Sequence, residues 1–182
     1  MGINIVVLKR YRSLLSMGSN LGDRLGFLGE ALQKMRDRLG EIIEISSVYE
    51  TVPWGFESNH NFYNLAVLLD TPFPAEVLMT EILAVESALG RVRSEMTGYG
   101  DRVIDIDIIY FEDWCLRASG LQIPHPQRAA RRFVLVPLAE IAPDFIDPEW
   151  GIPIQRLLKR TPDLTKLKKI SGDSLSLYSH SG

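Results

Sequence analysis

The order of elements in residues 11–111 predicts an α+β fold of the ferredoxin-like, split βαβ kind. Three observations carry that expectation. Two segments space their apolar residues for helices, and each ends at a glycine. Four segments read as strands, and "EIIEISSVYET" among them is rich in β-branched residues. Their order along the chain is strand, helix, strand, strand, helix, strand. Such a chain builds an antiparallel sheet with helices on one face, leaving the other face for an active-site cleft.

"YRSLLSM" (11–17) reads as the first strand, and "GSNLGDR" turns out of it. Leu25, Leu28, Leu32, Met35 and Leu39 follow at helical spacing, with Gly40 as the stop. "EIIEISSVYET" (41–51) reads as the second strand and "FYNLAVLLDT" (62–71) as its partner. The loop between them, "VPWGFESNHN", is too long and too aromatic for a tight hairpin turn. Pro74 opens a second helix carrying Val77, Leu78, Ile82, Val85 and Leu89, closed by Gly90. "VIDIDIIYF" (103–111) is the fourth strand. "PHPQRAARRFVLVPLAEIAP" suggests one or two further short helices, and the serine-rich "SGDSLSLYSHSG" a mobile tail. The expected organisation is an N-terminal extension (1–10), one domain (11–165) and a C-terminal tail (166–182).

Composition narrows the class. The chain has 182 residues, 46% hydrophobic and 24% charged, which suits one globular core. A net charge of −3 leaves no basic excess for a general nucleic-acid binder. The single cysteine, Cys115, excludes an internal disulfide framework and fits a reducing compartment. No apolar run has the length of a membrane span, and "MGINIVVLKR" lacks the basic segment of a signal peptide. The expectation is a cytoplasmic monomer that binds small molecules, not nucleic acid or membrane.

The chemistry starts at Asp105 and Asp107, two carboxylates in an otherwise apolar strand. Alternation points both to one face and Ile104, Ile106 and Ile108 to the other. Two like charges on one face repel, and a divalent cation removes that conflict. Mg²⁺ takes one or two protein carboxylates and completes its shell with phosphate oxygens and water. The alternative is a polar outer face of an edge strand. Arginine tips the balance: residues 91–132 contain Arg91, Arg93, Arg102, Arg117, Arg128, Arg131 and Arg132 but no lysine. The guanidinium fork suits phosphate oxygens. Arg117, Arg128 and Arg132 are expected to pair with surface carboxylates instead. "GRVRSEMTGYGDR" reads as a mobile loop that closes Arg93 and Arg102 over phosphates. No Walker-type phosphate loop is present.

A second cluster has another character. "VPWGFESNHNFYNLAV" sets Trp54, Phe56, Phe62 and Tyr63 beside Asn59, Asn61 and Asn64. Flat apolar side chains with one amide inside a strand suggest a slot for a flat heteroaromatic ring, whose edge Asn64 could read. Tyr63 is better placed in the core. His125, stiffened between two prolines, could donate to a phosphate.

These stretches together resemble the 6-hydroxymethyl-7,8-dihydropterin pyrophosphokinase family of folate biosynthesis. The matching segments are "SMGSNLGDR", "SSVYETVPWG", "FYNLAV", "ALGRVR", "GDRVIDIDIIYF" and "IPHPQRAARRFVLVPLAEIAPDF", running in order from about residue 11 to about 160. The resemblance implies ATP as co-substrate with two Mg²⁺, and transfer of its β,γ-pyrophosphoryl group to the pterin hydroxymethyl oxygen with release of AMP. It implies that Asp105 and Asp107 bind metal and that Arg93 and Arg102 join them in catalysis. Glu86, Arg91, Arg93, Ile108, His125 and Arg131 fall to the ATP site. Thr51, Pro53, Trp54, Phe62, Asn64 and Phe133 fall to the pterin site, with two aromatic rings sandwiching the bicycle. The chain departs from the family pattern at Leu83, Phe62 and Tyr99. Two rival readings stand beside it: a different nucleotide-dependent transferase on the same scaffold with another acceptor, and a non-catalytic module that binds RNA on the open sheet face, the second disfavoured because aspartates there repel a phosphate backbone.

Overall fold

A computed structural model describes residues 9–92, 100–118 and 120–170. Arg93 and Tyr99, most of the expected extension and residues 171–182 of the expected tail lie outside the described residues.

Strand β1 (Tyr11–Ser19) runs at the centre of the main sheet. Helix α1 (Arg24–Arg38) starts where the Asp23 carboxylate accepts the Gly26 N–H at 3.0 Å. It stops at Gly40, where φ is 139° and a Cβ would sit 2.2 Å from the Asp70 carbonyl oxygen. The second expected strand is two: β2 (Glu41–Ile45) and β3 (Tyr49–Thr51). The break has a local cause. The Ser46 hydroxyl, rather than a ladder carbonyl, accepts the Ala66 N–H at 2.8 Å. Both pieces pair with the same edge of β4 (Phe62–Thr71).

Helix α2 (Ala75–Ala88) begins after Pro74 and buries Leu78, Ile82 and Val85. Val77 is 41% exposed and does not join the core-facing stripe. Strand β5 (Asp105–Phe111) completes the antiparallel core in the order β5-β1-β4-β3, with β8 (Lys168–Lys169) added beyond β3. Hairpin β6 (Leu116–Ala118) and β7 (Leu121–Ile123) stands apart from this sheet. A short 3₁₀ turn (Arg128–Ala130) leads to α3 (Arg132–Ile141), and α4 (Ile154–Arg160) follows.

The sheet buries both faces, unequally. Under α1 and α2 lies the main core, with Leu15, Met17, Leu65, Val67, Ile106 and Ile108 from the strands. Each such side chain contributes about 1.5–3 kcal/mol when fully buried. On the second face α3 and α4 pack Val134, Leu135 and Leu157 onto Leu14, Ala66 and Tyr110. Those two helices cover one end of that face and leave the other end as a cleft. The pairing of β1 with β5 shifts by one residue between Leu14 and Leu15, so Leu14 meets Tyr110 and Leu15 meets Ile108, with Ile109 bulged out.

Candidate active site

The open end of the second face is a cleft of about 470 Å³, within the usual range for small-molecule sites. Its floor is read off the sheet register. Asp105 on β5 stands across from Gly18 on β1, which stands across from Asn64 on β4. One row along, Asp107 faces Ser16, which faces Ala66. The acidic groups and the amide therefore lie two strands apart, about 10 Å.

At the β5 end the expected cations gather around the carboxylates. Arg91 Nη1 lies 2.5 Å from Asp105 Oδ1, and Arg102 Nη1 lies 2.7 Å from Oδ2. Arg131 Nη1 is 3.9 Å from Asp107 Oδ2. Burial, and then the charge of Asp105, push the Asp107 carboxyl up to about 7, against the pull of Arg131. His125 is fixed by its N–H, which donates to the Ile109 carbonyl at 2.9 Å. Its Nδ1 accepts the Gln127 N–H at 3.2 Å. Burial, and then the Arg131 charge, lower its pKa to about 4. The imidazole is thus neutral at pH 7, with Nε2 carrying the proton.

At the β4 end Trp54, Phe56, Phe62 and Phe133 line the cleft beside Thr51 and Asn64. Phe56 and Phe62 meet edge-on with centroids 6.2 Å apart. The Arg131 guanidinium lies 4.8 Å from the Trp54 ring centroid and 5.8 Å from that of Phe133, tying the two ends together. Asn64 Nδ2 donates to Thr51 Oγ1 at 2.7 Å. Gly18 keeps the amide uncovered, since a Cβ there would lie 2.8 Å from Asn64 Oδ1.

Eleven of the expected site residues line this one cleft: Thr51, Trp54, Phe62, Asn64, Arg91, Arg102, Asp105, Asp107, His125, Arg131 and Phe133. Three others do not. Glu86 is 1% exposed and lies behind the cleft, where Oε1 pairs with Arg91 Nη1 and accepts the Ile106 N–H at 2.8 Å. Ile108 belongs to the main core and edges a neighbouring pocket with Met79, Leu121 and Gln122. Pro53 lines a separate shallow pocket with Phe56 and Glu57.

Arg128 corrects the sequence reading. It pairs with carboxylates as expected, but not at the surface: it is 1% exposed, with Nε 2.5 Å from Asp147 Oδ2. Arg117 does pair on the outside, 3.5 Å from Glu149. Sequence reasoning also passed over Asn20 as a turn residue. Its Nδ2 donates to Asp101 Oδ1 at 2.6 Å and to the His60 carbonyl at 3.2 Å, and its Oδ1 accepts the Arg102 N–H at 2.7 Å. That amide holds the Arg102 segment against the aromatic loop.

The chemistry of the acidic end suits a magnesium-bound polyphosphate. Among the described residues no cluster offers three metal-ligating side chains. Mg²⁺ is commonly held by only one or two carboxylates, with substrate oxygens and water completing its shell, and a pair such as Asp105 and Asp107 fits that donor set. A carboxyl held up near 7 beside a second one is the electrostatic conflict a cation relieves.

The chain has relatives among known proteins. Residues 14–143 match the family described as 7,8-dihydro-6-hydroxymethylpterin-pyrophosphokinase. A protein of Porphyromonas gingivalis named 2-amino-4-hydroxy-6-hydroxymethyldihydropteridine pyrophosphokinase is 41% identical over 141 residues, covering 76% of this chain and 95% of its own. A protein of the same name from Aquifex aeolicus is 39% identical over 141 residues, 78% of this chain and 86% of its own. Among solved structures, the wild-type HPPK-DHPS protein of Plasmodium falciparum superposes with a TM-score of 0.67 at 18% identity. That match covers 84% of this chain but 43% of the larger protein, and it bears on the fold alone.

Proposed function

Since the chain belongs to the 7,8-dihydro-6-hydroxymethylpterin-pyrophosphokinase family, we propose that each end of its cleft takes one substrate of that family's reaction. The protein is an ATP-dependent diphosphotransferase of folate biosynthesis. It transfers pyrophosphate from ATP to the hydroxymethyl group of 6-hydroxymethyl-7,8-dihydropterin, and AMP is released.

The observation that carries the assignment is the spacing of unlike ends. A carboxylate pair with three guanidiniums lies about two strand widths from an aromatic slot that exposes one amide edge. The pterin ring fits the slot between Phe62 and Phe133. Asn64, already held by Thr51, offers Oδ1 and its second N–H to the ring edge. This directs the hydroxymethyl group toward β5. ATP lies with its phosphates over Asp105 and Asp107 and its base toward the pocket edged by Ile108.

Asp105 and Asp107 would hold the two Mg²⁺, which neutralise phosphate charge and lower the pKa of the acceptor hydroxyl. The chain's own residues position and neutralise. Arg91 and Arg102 hold Asp105 in the structure and would exchange it for phosphate oxygens when the nucleotide enters. Glu86 lies behind Arg91 and restrains it. His125 donates from Nε2 without adding charge. Arg131, between Asp107 and Trp54, meets both substrates. Arg93 is assigned to the phosphates on the resemblance alone. No helix among the described residues is long and apolar enough to cross a membrane. We place the protein in the cytoplasm, since a single cysteine suits a reducing compartment, and its lack of basic excess disfavours nucleic acid as a partner.

Two dissociation constants test the assignment: that of α,β-methylene-ATP with Mg²⁺, and that of the pterin. Asn64→Ala should weaken only the pterin and His125→Ala only the nucleotide. A crossed pattern would reverse the two ends.

A further inference from the structure

Ser16 is a polar residue on the cleft floor that the assignment above leaves without a task. It lines the cleft, is 7% exposed, and stands directly across from Asp107. Opposed residues of antiparallel strands share a face, with Cβ atoms about 4.5–5.5 Å apart. Its hydroxyl forms no hydrogen bond with any described residue. On its other side lies Ala66, which is fully buried and offers no polar atom.

Ser13, on the same strand, makes the contrast. It too is buried, and its hydroxyl donates to the Tyr110 carbonyl at 2.9 Å. That is the usual fate of a buried hydroxyl, because one without a partner costs free energy. Among the described residues the enclosed hydroxyl without a partner on this strand is that of Ser19; Ser16 instead borders the cleft, in the space where substrate and cation would meet.

We propose that Ser16 is a positioning residue of the cation site, its hydroxyl holding a water of the cation's hydration shell beside Asp107. Mg²⁺ keeps several waters when one or two carboxylates hold it. A hydroxyl on the neighbouring strand orients such a water without adding charge. Both side chains line the same cleft. The inference rests on the reading that Asp105 and Asp107 hold magnesium.

The test is calorimetric titration of α,β-methylene-ATP at a series of Mg²⁺ concentrations, with Ser16→Ala and Asp107→Asn in parallel. Ser16→Ala should raise the Mg²⁺ concentration for half-maximal nucleotide binding about three- to tenfold, the worth of one hydrogen bond. Nucleotide binding without Mg²⁺ should not change, nor should the melting temperature fall. With Mn²⁺ in place of Mg²⁺, water proton relaxation in the ternary complex should differ from the parent's. Two results would overturn the proposal while leaving the metal reading intact. One is an unchanged Mg²⁺ midpoint in Ser16→Ala beside a large shift in Asp107→Asn. The other is a nucleotide weakened equally with and without Mg²⁺, which means direct phosphate contact. If neither variant moves the midpoint, the metal reading fails and this proposal with it.

Discussion

Two groups of carboxylates and guanidiniums lie inside this molecule, and they are built to opposite rules. In the first, Asp147 is fully buried and every oxygen is used. Oδ2 accepts from Arg128 Nε at 2.5 Å and Tyr110 Oη at 2.9 Å. Oδ1 accepts from Arg128 Nη2 at 3.0 Å and from the Glu149 and Trp150 N–H groups at 2.9 Å. Burial alone would raise the Asp147 pKa, yet these donors hold it below the ordinary value. In the second group, Asp107 has the Arg131 Nη1 3.9 Å away as its salt-bridge partner among the described residues, and its pKa moves up. The same side chains make a rivet where their bonds are complete and leave a carboxylate facing the cleft where they are not. Burial of charge alone does not mark function; incomplete satisfaction beside a cleft does.

Substitution separates the two groups by what is lost. The largest effect is expected from Asp107→Ala, which should lower turnover by roughly 10³-fold or more, with circular dichroism unchanged and no loss of melting temperature. Activity within a few-fold of the parent would remove the metal assignment. Next comes Asp147→Ala, which leaves buried Arg128 with only the partly exposed Glu149 as counter-ion and should cost about 3–5 kcal/mol in urea unfolding. A loss below 1 kcal/mol there would erase the contrast. Phe133→Ala sharpens the picture inside the cleft. It should weaken pterin binding by about 1–3 kcal/mol, as for a stacked base, while nucleotide affinity holds.

The smallest effect is a pH dependence. Because Asp107 titrates near 7 when folded against 3.8 in the ordinary carboxylate, the folded state binds its proton more tightly. That stabilisation is complete below about pH 3.8 and is lost as pH rises through 7. The melting temperature of metal-free Asp107→Asn should therefore gain on the parent by a few degrees between pH 4 and pH 8. Equal slopes in the two proteins would show that the folded state does not raise this carboxyl.

Much of this was legible before any coordinates. Helices with a cap and a glycine stop appear where their spacing puts them, since α1 and α2 each bury one apolar stripe. The D-x-D pair and Asn64 stood out because a strand has no ordinary use for them. What escaped depends on partners far along the chain. Arg128 is buried by a carboxylate 19 residues on, in a stretch, "IDPEW", that reads as surface. Asn20 looks like any turn asparagine until residues 40, 81 and 82 positions away meet it. The break between β2 and β3 turns on one serine hydroxyl that replaces a ladder acceptor. Glu86 and Pro53 came by resemblance, and resemblance does not distinguish a residue in a cleft from one behind or beside it.

The bulge at Ile109 has a consequence for the whole strand. Under strict alternation the odd-numbered side that carries Asp105 and Asp107 would exclude Tyr110, whose ring would point beneath α1 and α2. The single surplus residue resets the count. Tyr110 then shares the aspartates' side and reaches Asp147, while the surplus residue's own carbonyl tethers His125. Deleting that residue would leave Tyr110 on the aspartates' side of a regular strand, still facing Asp147, but would take away the carbonyl that holds the imidazole.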